Sequence, residues 1–253
     1  MQRALTHRIS PRLAECELAF HARQPIDLEL AESQHEGYCE ALERLGLAVQ
    51  RLEGNLDFPD CCFVEDTAVV LDELAVICRP GAESRRGETA LIARELASHR
   101  ELAHIEAPAT LDGGDVLAVG RTLFVGRSRR TNDGGIETLA ALLRPRGYRV
   151  EAVETTGSLH LKSACTAIDE RTLFVTPRWI DTRSFDGFEL LATPEQEPGA
   201  ANVLRIGETL LVAAGFPRAA DLLATRVPRL ELIDISELRK AEAGLTCSSL
   251  IFA

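Results

Sequence analysis

VLAVGRTLFVG (residues 116–126) and VLRIGETLLVA (residues 203–213) share one pattern, V-L-x-apolar-G-x-T-L-apolar-V. Each reads as two short apolar strands around a two-residue hairpin turn, Gly120-Arg121 in the first and Gly207-Glu208 in the second. A looser copy, CTAIDERTLFVTP (165–177), repeats the RTLFV of residues 121–125 after a turn centred on Glu170-Arg171. A fourth, DTAVVLDELAVICRP (66–80), turns at Asp72-Glu73.

Working outward, a helical stretch or a shorter polar connection follows each hairpin. Thr89–Ser98 carries Leu91, Ile92 and Leu96 near helical spacing. Asp133–Arg144 follows a candidate N-cap at Asn132 or Asp133, with Ile136, Leu139, Ala140 and Leu143 on one face. Ala219–Thr225 is a third, shorter helix. Each helix leads to a single strand: Ala103–Glu106, Arg149–Val153 and Leu230–Ile235. The unit is therefore β-β-α-β, about 37 to 50 residues long, and the chain holds roughly five. A helix over Glu36–Leu45 and a strand over Ala48–Leu52 belong to another copy, which the terminal strands close. Such units must stack to bury their apolar faces. An open doubly wound sheet needs β-α-β crossovers rather than repeated hairpins, so the pattern predicts a ring of small sheets around a polar channel.

Composition agrees with a folded chain. Of 253 residues, 45% are hydrophobic and 26% charged, which excludes long disorder, collagen and coiled coil. The net charge of -11 disfavours binding to nucleic-acid phosphates and favours a small cationic ligand. Unbroken apolar runs, such as Leu210–Ala214, are far shorter than the roughly 20 residues of a membrane helix. MQRALTHRIS has no signal core. Seven scattered cysteines, an odd number without paired C-x-x-C motifs, fit a reducing, cytoplasmic setting better than a disulfide framework or a structural zinc site.

Four segments interrupt the regular pattern. FPDCCFVED (58–66) sets Asp60, Glu65 and Asp66 among apolar residues, where burial is costly without partners. The plain alternative is a solvated loop. ATLDGGDVL (109–117) holds Asp112 and Asp115 around two glycines; it reads as a turn, and a turn at a strand's start can aim a carboxylate into a channel. It is not a phosphate loop, since no Lys follows and no helix starts there. SLHLKSACT (158–166) places His160 between leucines, with Lys162 on the same side if the segment is a strand. GLTCSSLIF (244–252) puts Cys247 at the start of the last strand, a position equally suited to a buried structural thiol. A reactive Cys needs a proton carrier and an orienting group. His160 and Asp112 qualify by type, though distant positions do not establish proximity.

FPDCCFVED, RPGAESRRGE (79–88), LDGGDVL, FVGRSRRTN (124–132), LHLKS (159–163), AAN (200–202) and LTCSS (245–249), in this order, resemble the dimethylarginine dimethylaminohydrolase family of the guanidino-modifying (pentein) superfamily. The resemblance implies a single domain over residues 1–253, a five-bladed α/β propeller with pseudo-fivefold symmetry and an axial active site. It implies hydrolysis of N-omega-methylated arginines to citrulline and methylamines, without metal or organic cofactor. Cys247 matches the nucleophile, His160 the general acid and base, and Asp112 the acid that pairs with it. Asp66 matches the carboxylate that grips the guanidinium, with Glu65 beside it, and Asp60 one near the α-amino end. Arg85 and Arg130 match the arginines that hold the α-carboxylate; Arg127 or Arg129 replaces Arg130 if the register slips. Leu18 matches a lid residue, and Ala241 stands where relatives often carry Val. The resemblance leaves open deimination or dihydrolysis of unmethylated arginine, a non-catalytic binding propeller, and a homodimer. Trp179, Cys61 and Cys62 read as packing residues. Zinc captured by Cys247 and His160 would act as an inhibitor.

Overall fold

A computed structural model describes residues 1–253. The β1 strand (Arg3–His7) pairs in parallel with β2 (Ala48–Leu52), and helix α1 (Leu28–Arg44) joins them. The second unit is β3 (Ala68–Val70), β4 (Leu74–Ile77), α2 (Thr89–Leu96) and β5 (Glu101–His104). The third is β6 (Val116–Val119), β7 (Thr122–Arg127), α3 (Asp133–Leu143) and β8 (Arg149–Glu154). The fourth begins with the short helix α4 (Leu161–Ala164) and continues through β9 (Cys165–Ala167), β10 (Thr172–Val175) and β11 (Glu189–Ala192). The fifth is β12 (Leu204–Ile206), β13 (Thr209–Ala213), α5 (Pro217–Ala224) and β14 (Arg229–Ile233). After the short helix α6 (Ser236–Arg239), β15 (Leu250–Phe252) returns to pair antiparallel with β1 and closes the ring.

The result is five three-stranded sheets. In each, the middle strand runs antiparallel to the first and parallel to the third. The repeat-and-ring prediction is therefore correct. The first strands β3, β6, β9, β12 and β15 line an axial cavity of about 430 Å³. Its wall is more apolar than the expected polar channel: 13 of its 23 lining residues are hydrophobic.

Turn chemistry explains the hairpins. Gly120 and Gly207 both have φ 57°, the left-handed value that the first central residue of a tight hairpin turn requires. The copy around Glu170-Arg171 differs from its reading. Ile168 N–H bonds to Thr172 O, so three residues turn, and Asp169 Oδ1 accepts from Arg171 N–H and Thr172 N–H. Two short 3₁₀ turns, Pro177–Trp179 and Thr182–Phe185, replace the helix of that unit.

Other boundaries moved for local reasons. The expected helix Glu36–Leu45 starts eight residues earlier, because the Asp27 carboxylate caps the Leu30 N–H and the apolar stripe extends back to Ala31. Ala31, Tyr38, Cys39, Ala41 and Leu42 join the largest core cluster, which also holds Leu210–Ala213 of β13. On α2, Leu91, Ile92 and Leu96 are buried, at about 2 kcal/mol each. The strand expected at Ala103–Glu106 sits two residues earlier, where Ile77 pairs with His104. All seven cysteines are free and buried. No helix is long and apolar enough to cross a membrane.

Candidate active site

The ring repeats a position as well as a fold. Immediately before the first strand of each unit lies a turn that carries one polar candidate: Asp66 before β3, Asp112 before β6, His160 before β9, Asn202 before β12 and Cys247 before β15. Because the five strands surround one axis, the five turns meet at one end of it. Residues from 42 to 48 positions apart in sequence are thereby collected.

His160 is the hub. It is the N-cap residue of α4, so the alternating-strand reading of SLHLKSACT is wrong. The Leu161 N–H is held by Asp115 Oδ1 at 2.9 Å, which turns the chain into helix. His160 Nε2 lies 3.0 Å from Asp112 Oδ2, and Nδ1 faces Asp66 Oδ1 at 3.7 Å. Asp112 is locked by Gly81 N–H on Oδ1 at 2.8 Å. Gly114 makes this approach feasible: a Cβ there would stand 2.6 Å from Asp66 Oδ1 and 2.7 Å from His160 Nδ1.

Six carboxylates are buried around this centre, at Asp60, Glu65, Asp66, Glu88, Asp112 and Asp115. They outnumber the cations Arg85, Arg130 and Lys162, so the site is built to receive positive charge. Burial works against the His160 cation, but Asp66, the Asp112 hydrogen bond and Asp115 outweigh it and raise its pKa to about 9. Burial alone would raise Asp66; His160 and Arg85 instead hold it down at about 2. Asp115 is raised to about 6 by burial, against the pull of His160 and Ser128. Burial, then Glu65 and Asp66, push the Cys247 thiol up, against the Gly244 N–H and Lys162. The Gly244 N–H points at Cys247 Sγ from 3.3 Å. Burial therefore favours the Cys247 thiol, and the surrounding carboxylates favour the His160 cation.

The supporting residues were quoted in motifs but given no role. Lys162 Nζ bonds Glu65 Oε1 at 2.5 Å, and Thr246 Oγ1 donates to Glu65 Oε2 at 2.7 Å. Asn202 Nδ2 donates to Lys162 O and to Thr246 Oγ1, while Thr246 N–H donates to Asn202 Oδ1. This chain of bonds ties the turns bearing Asp66, His160 and Cys247 together. Glu65, beside Asp66 in the sequence, has both oxygens engaged in it.

Arg85 is densely bonded within the protein. It is buried with its guanidinium on Asp66 Oδ2 at 2.5 Å, both Glu88 oxygens, and the carbonyls of Asp60 and Phe63. Nearly all of its five donors are spent inside the protein. Arg130 is buried as well, yet its side chain bonds no carboxylate. It acts electrostatically on Asp60 and Asp66. Its rivals are otherwise occupied: Arg127 pairs with Asp133 and Glu154, and Arg129 lies over the Phe20 ring. Asp60 accepts the Glu17 N–H on both oxygens, beside half-buried Leu18. Leu18 packs on the core cluster that contains Ala241 and Cys247. Trp179 packs on Gly157, and Cys61 and Cys62 are buried.

Donor atoms of Asp66, Asp112 and His160 lie within 4.8 Å of one another. A cation there would compete with the His160 proton and with Arg85.

A family model described as "N,N dimethylarginine dimethylhydrolase, eukaryotic" matches residues 17–187. The N(G),N(G)-dimethylarginine dimethylaminohydrolase of Streptomyces coelicolor is 43% identical over 250 residues, covering 98% of this chain and 96% of that protein. The same enzyme of Pseudomonas aeruginosa is 34% identical, with 92% of each chain covered. A solved structure of the Pseudomonas aeruginosa protein, a mutant complexed with citrulline, superposes with a TM-score of 0.94 at 31% identity, over 99% of this chain and 98% of that one. The N-terminal domain of an arginine dihydrolase shares the fold at 17% identity and a TM-score of 0.85. The chain belongs to the dimethylarginine dimethylaminohydrolase family.

Proposed function

We propose that Cys247, His160 and Asp112 carry out this chain's reaction, the hydrolysis of N-omega-methylated L-arginine to L-citrulline and dimethylamine or methylamine. The observation that carries the assignment is His160 held between Asp112 and Asp66, with Asp66 acting electrostatically on both His160 and Cys247. The substrate guanidinium docks at Asp66, whose low pKa keeps it ionised. Its positive charge opposes the burial that keeps Cys247 protonated, and the thiol proton leaves to solvent. The thiolate adds to the guanidinium carbon. The carbon–nitrogen bond to the methylated nitrogen breaks, and His160 supplies the proton that the departing amine takes. A cationic S-alkylthiouronium remains. Water gives one proton to His160 and adds to the same carbon; the carbon–sulfur bond breaks, the remaining hydroxyl proton passes to solvent, and citrulline and the thiolate are released.

Arg130 is the cation left to bind the substrate α-carboxylate, and Asp60 receives the α-amino group. Arg85 acts on Asp66 rather than on substrate, and Glu65 braces the catalytic turns through Lys162 and Thr246. Leu18 covers the pocket, and Ala241 lines it. Residues 1–253 work as one domain, because each unit contributes one of the five turns. Seven free thiols support a cytoplasmic location.

The test supplies asymmetric dimethylarginine, monomethylarginine and arginine, and scores citrulline and the released amine, with Cys247→Ser as blank. Dimethylamine from the first, lost in the variant, is the expected result. Ammonia from arginine alone would move the chain to deimination. Undiminished turnover by Cys247→Ser would refute the nucleophile.

A further inference from the structure

Glu242 is the one non-glycine residue with a positive φ, at 60°. L-residues other than Asn and Asp seldom adopt this conformation, and glycine fills it without strain. A glutamate held there implies that its side chain performs a task. Its carboxylate accepts three consecutive backbone N–H groups from the other end of the chain: Ala19 at 3.1 Å, Phe20 at 2.6 Å and His21 at 2.5 Å. Such a row of amides is an anion nest, closed here by a side chain of the protein itself.

The Ala19, Phe20 and His21 amides have no other acceptor, although Ser84 Oγ on Glu17, Arg129 over the Phe20 ring and Lys240 on Pro25 O also touch the segment. Residues 17–26 contain no helix or strand, and Phe20 is 42% exposed. The near end is tied by Glu17 N–H to Asp60. From there the segment crosses to a cavity of about 140 Å³, where Phe20 and His21 meet Leu159, Asn202, Ala243 and Gly244. Leu159 precedes His160, and the Gly244 N–H touches Cys247 Sγ. The strap therefore spans the site from the Asp60 side to the nucleophile side, and Glu242 is its far fastening.

We propose that Glu242 is a positioning residue: its carboxylate latches the strap Glu17–His21 over the bound substrate. This rests on the functional reading above. Retention of substrate then depends on the latch, whereas bond-making at Cys247 does not use it directly.

Two variants separate latch from scaffold. Glu242→Gly removes the carboxylate and suits the backbone at φ 60°, so the fold is retained. Glu242→Gln keeps the length and loses the charge. Amide hydrogen exchange at Ala19, Phe20 and His21 reads the latch without any turnover. Kinetics on asymmetric dimethylarginine read its use. In Glu242→Gly, the three amides should exchange about tenfold faster or more, and KM should rise about tenfold with a smaller change in kcat. Glu242→Gln should fall between this variant and the wild type. Unchanged exchange would overturn the latch. Faster exchange with unchanged KM would overturn its role in the reaction. A wild-type protein inactive on methylarginine would sink the functional reading, and the exchange result would still decide the latch.

Discussion

Replacing Asp112 by Asn is the sharpest probe of the site. Asp112 Oδ1 accepts the Gly81 N–H at 2.8 Å, and Oδ2 meets His160 Nε2 at 3.0 Å. In the variant, the amide oxygen stays on Gly81, because its NH₂ cannot accept from that donor. The NH₂ group then faces Nε2, which can bond it only as an acceptor. That bond favours the neutral form of His160, with its proton on Nδ1. Against an ordinary value of 6.5, His160 titrates at about 9, which corresponds to roughly 3 kcal/mol in favour of its cation. Asp66 is the larger electrostatic contributor and remains. The variant should therefore lose part of that sum, roughly 1 to 2 kcal/mol, and the histidine pKa should fall by about one unit. Citrulline formation should decline above about pH 9 in the wild type, as the general acid loses its proton. In the variant, the decline should begin about one pH unit lower, with kcat reduced roughly 100-fold at neutral pH. The assay is a pH series of kcat, with NMR titration of the His160 ring. An alkaline limb at the same pH in both proteins would refute the argument, because it would show that Asp112 does not set the His160 proton.

Lys162→Met leaves Glu65 buried without its cation and should cost roughly 3 kcal/mol, lowering Tm by about 10 °C in a chain of this size; an unchanged Tm in thermal denaturation would show that the brace is dispensable. Arg85→Gln should destabilise the fold, since it strands Asp66 and Glu88, whereas Arg130→Gln should leave Tm within about 2 °C and raise KM. The reverse ranking of the two variants would reverse the roles assigned to them. The raised pKa of His160 contributes stability that is complete below about pH 6.5 and is lost as pH rises through about 9. The depressed pKa of Asp66 contributes stability present above about pH 4 and lost as pH falls through about 2. Denaturant unfolding of wild type and His160→Gln should therefore converge above pH 9; a constant gap across that range would contradict the ion pair.

Much of the molecule is legible in the chain itself. Hairpins at Gly120 and Gly207 follow from glycine's access to positive φ, and the apolar period of α3 and its Asn132 cap mark that helix. These are local signals, written within a few residues, and their repetition announced the ring. The reactive types Asp66, Asp112 and His160 are also legible, because each sets a group that costs energy to bury next to an apolar run, whereas Cys247 carries no such signal of its own. Only the closed ring brought them together, since proximity across more than 40 residues is a property of topology and not of spacing. The same holds for partners. Arg85 and Arg130 look alike in SRR and RSRR; burial against Asp66 and Glu88 spends the first and leaves the second free. Lys162 and Asn202 carry no distinctive local signal, because their value lies in bonds to Glu65 and Thr246 from other units. Strand and turn propensity are local energies that sequence determines, whereas the pairing of buried charges depends on distances that exist only once all five units have packed.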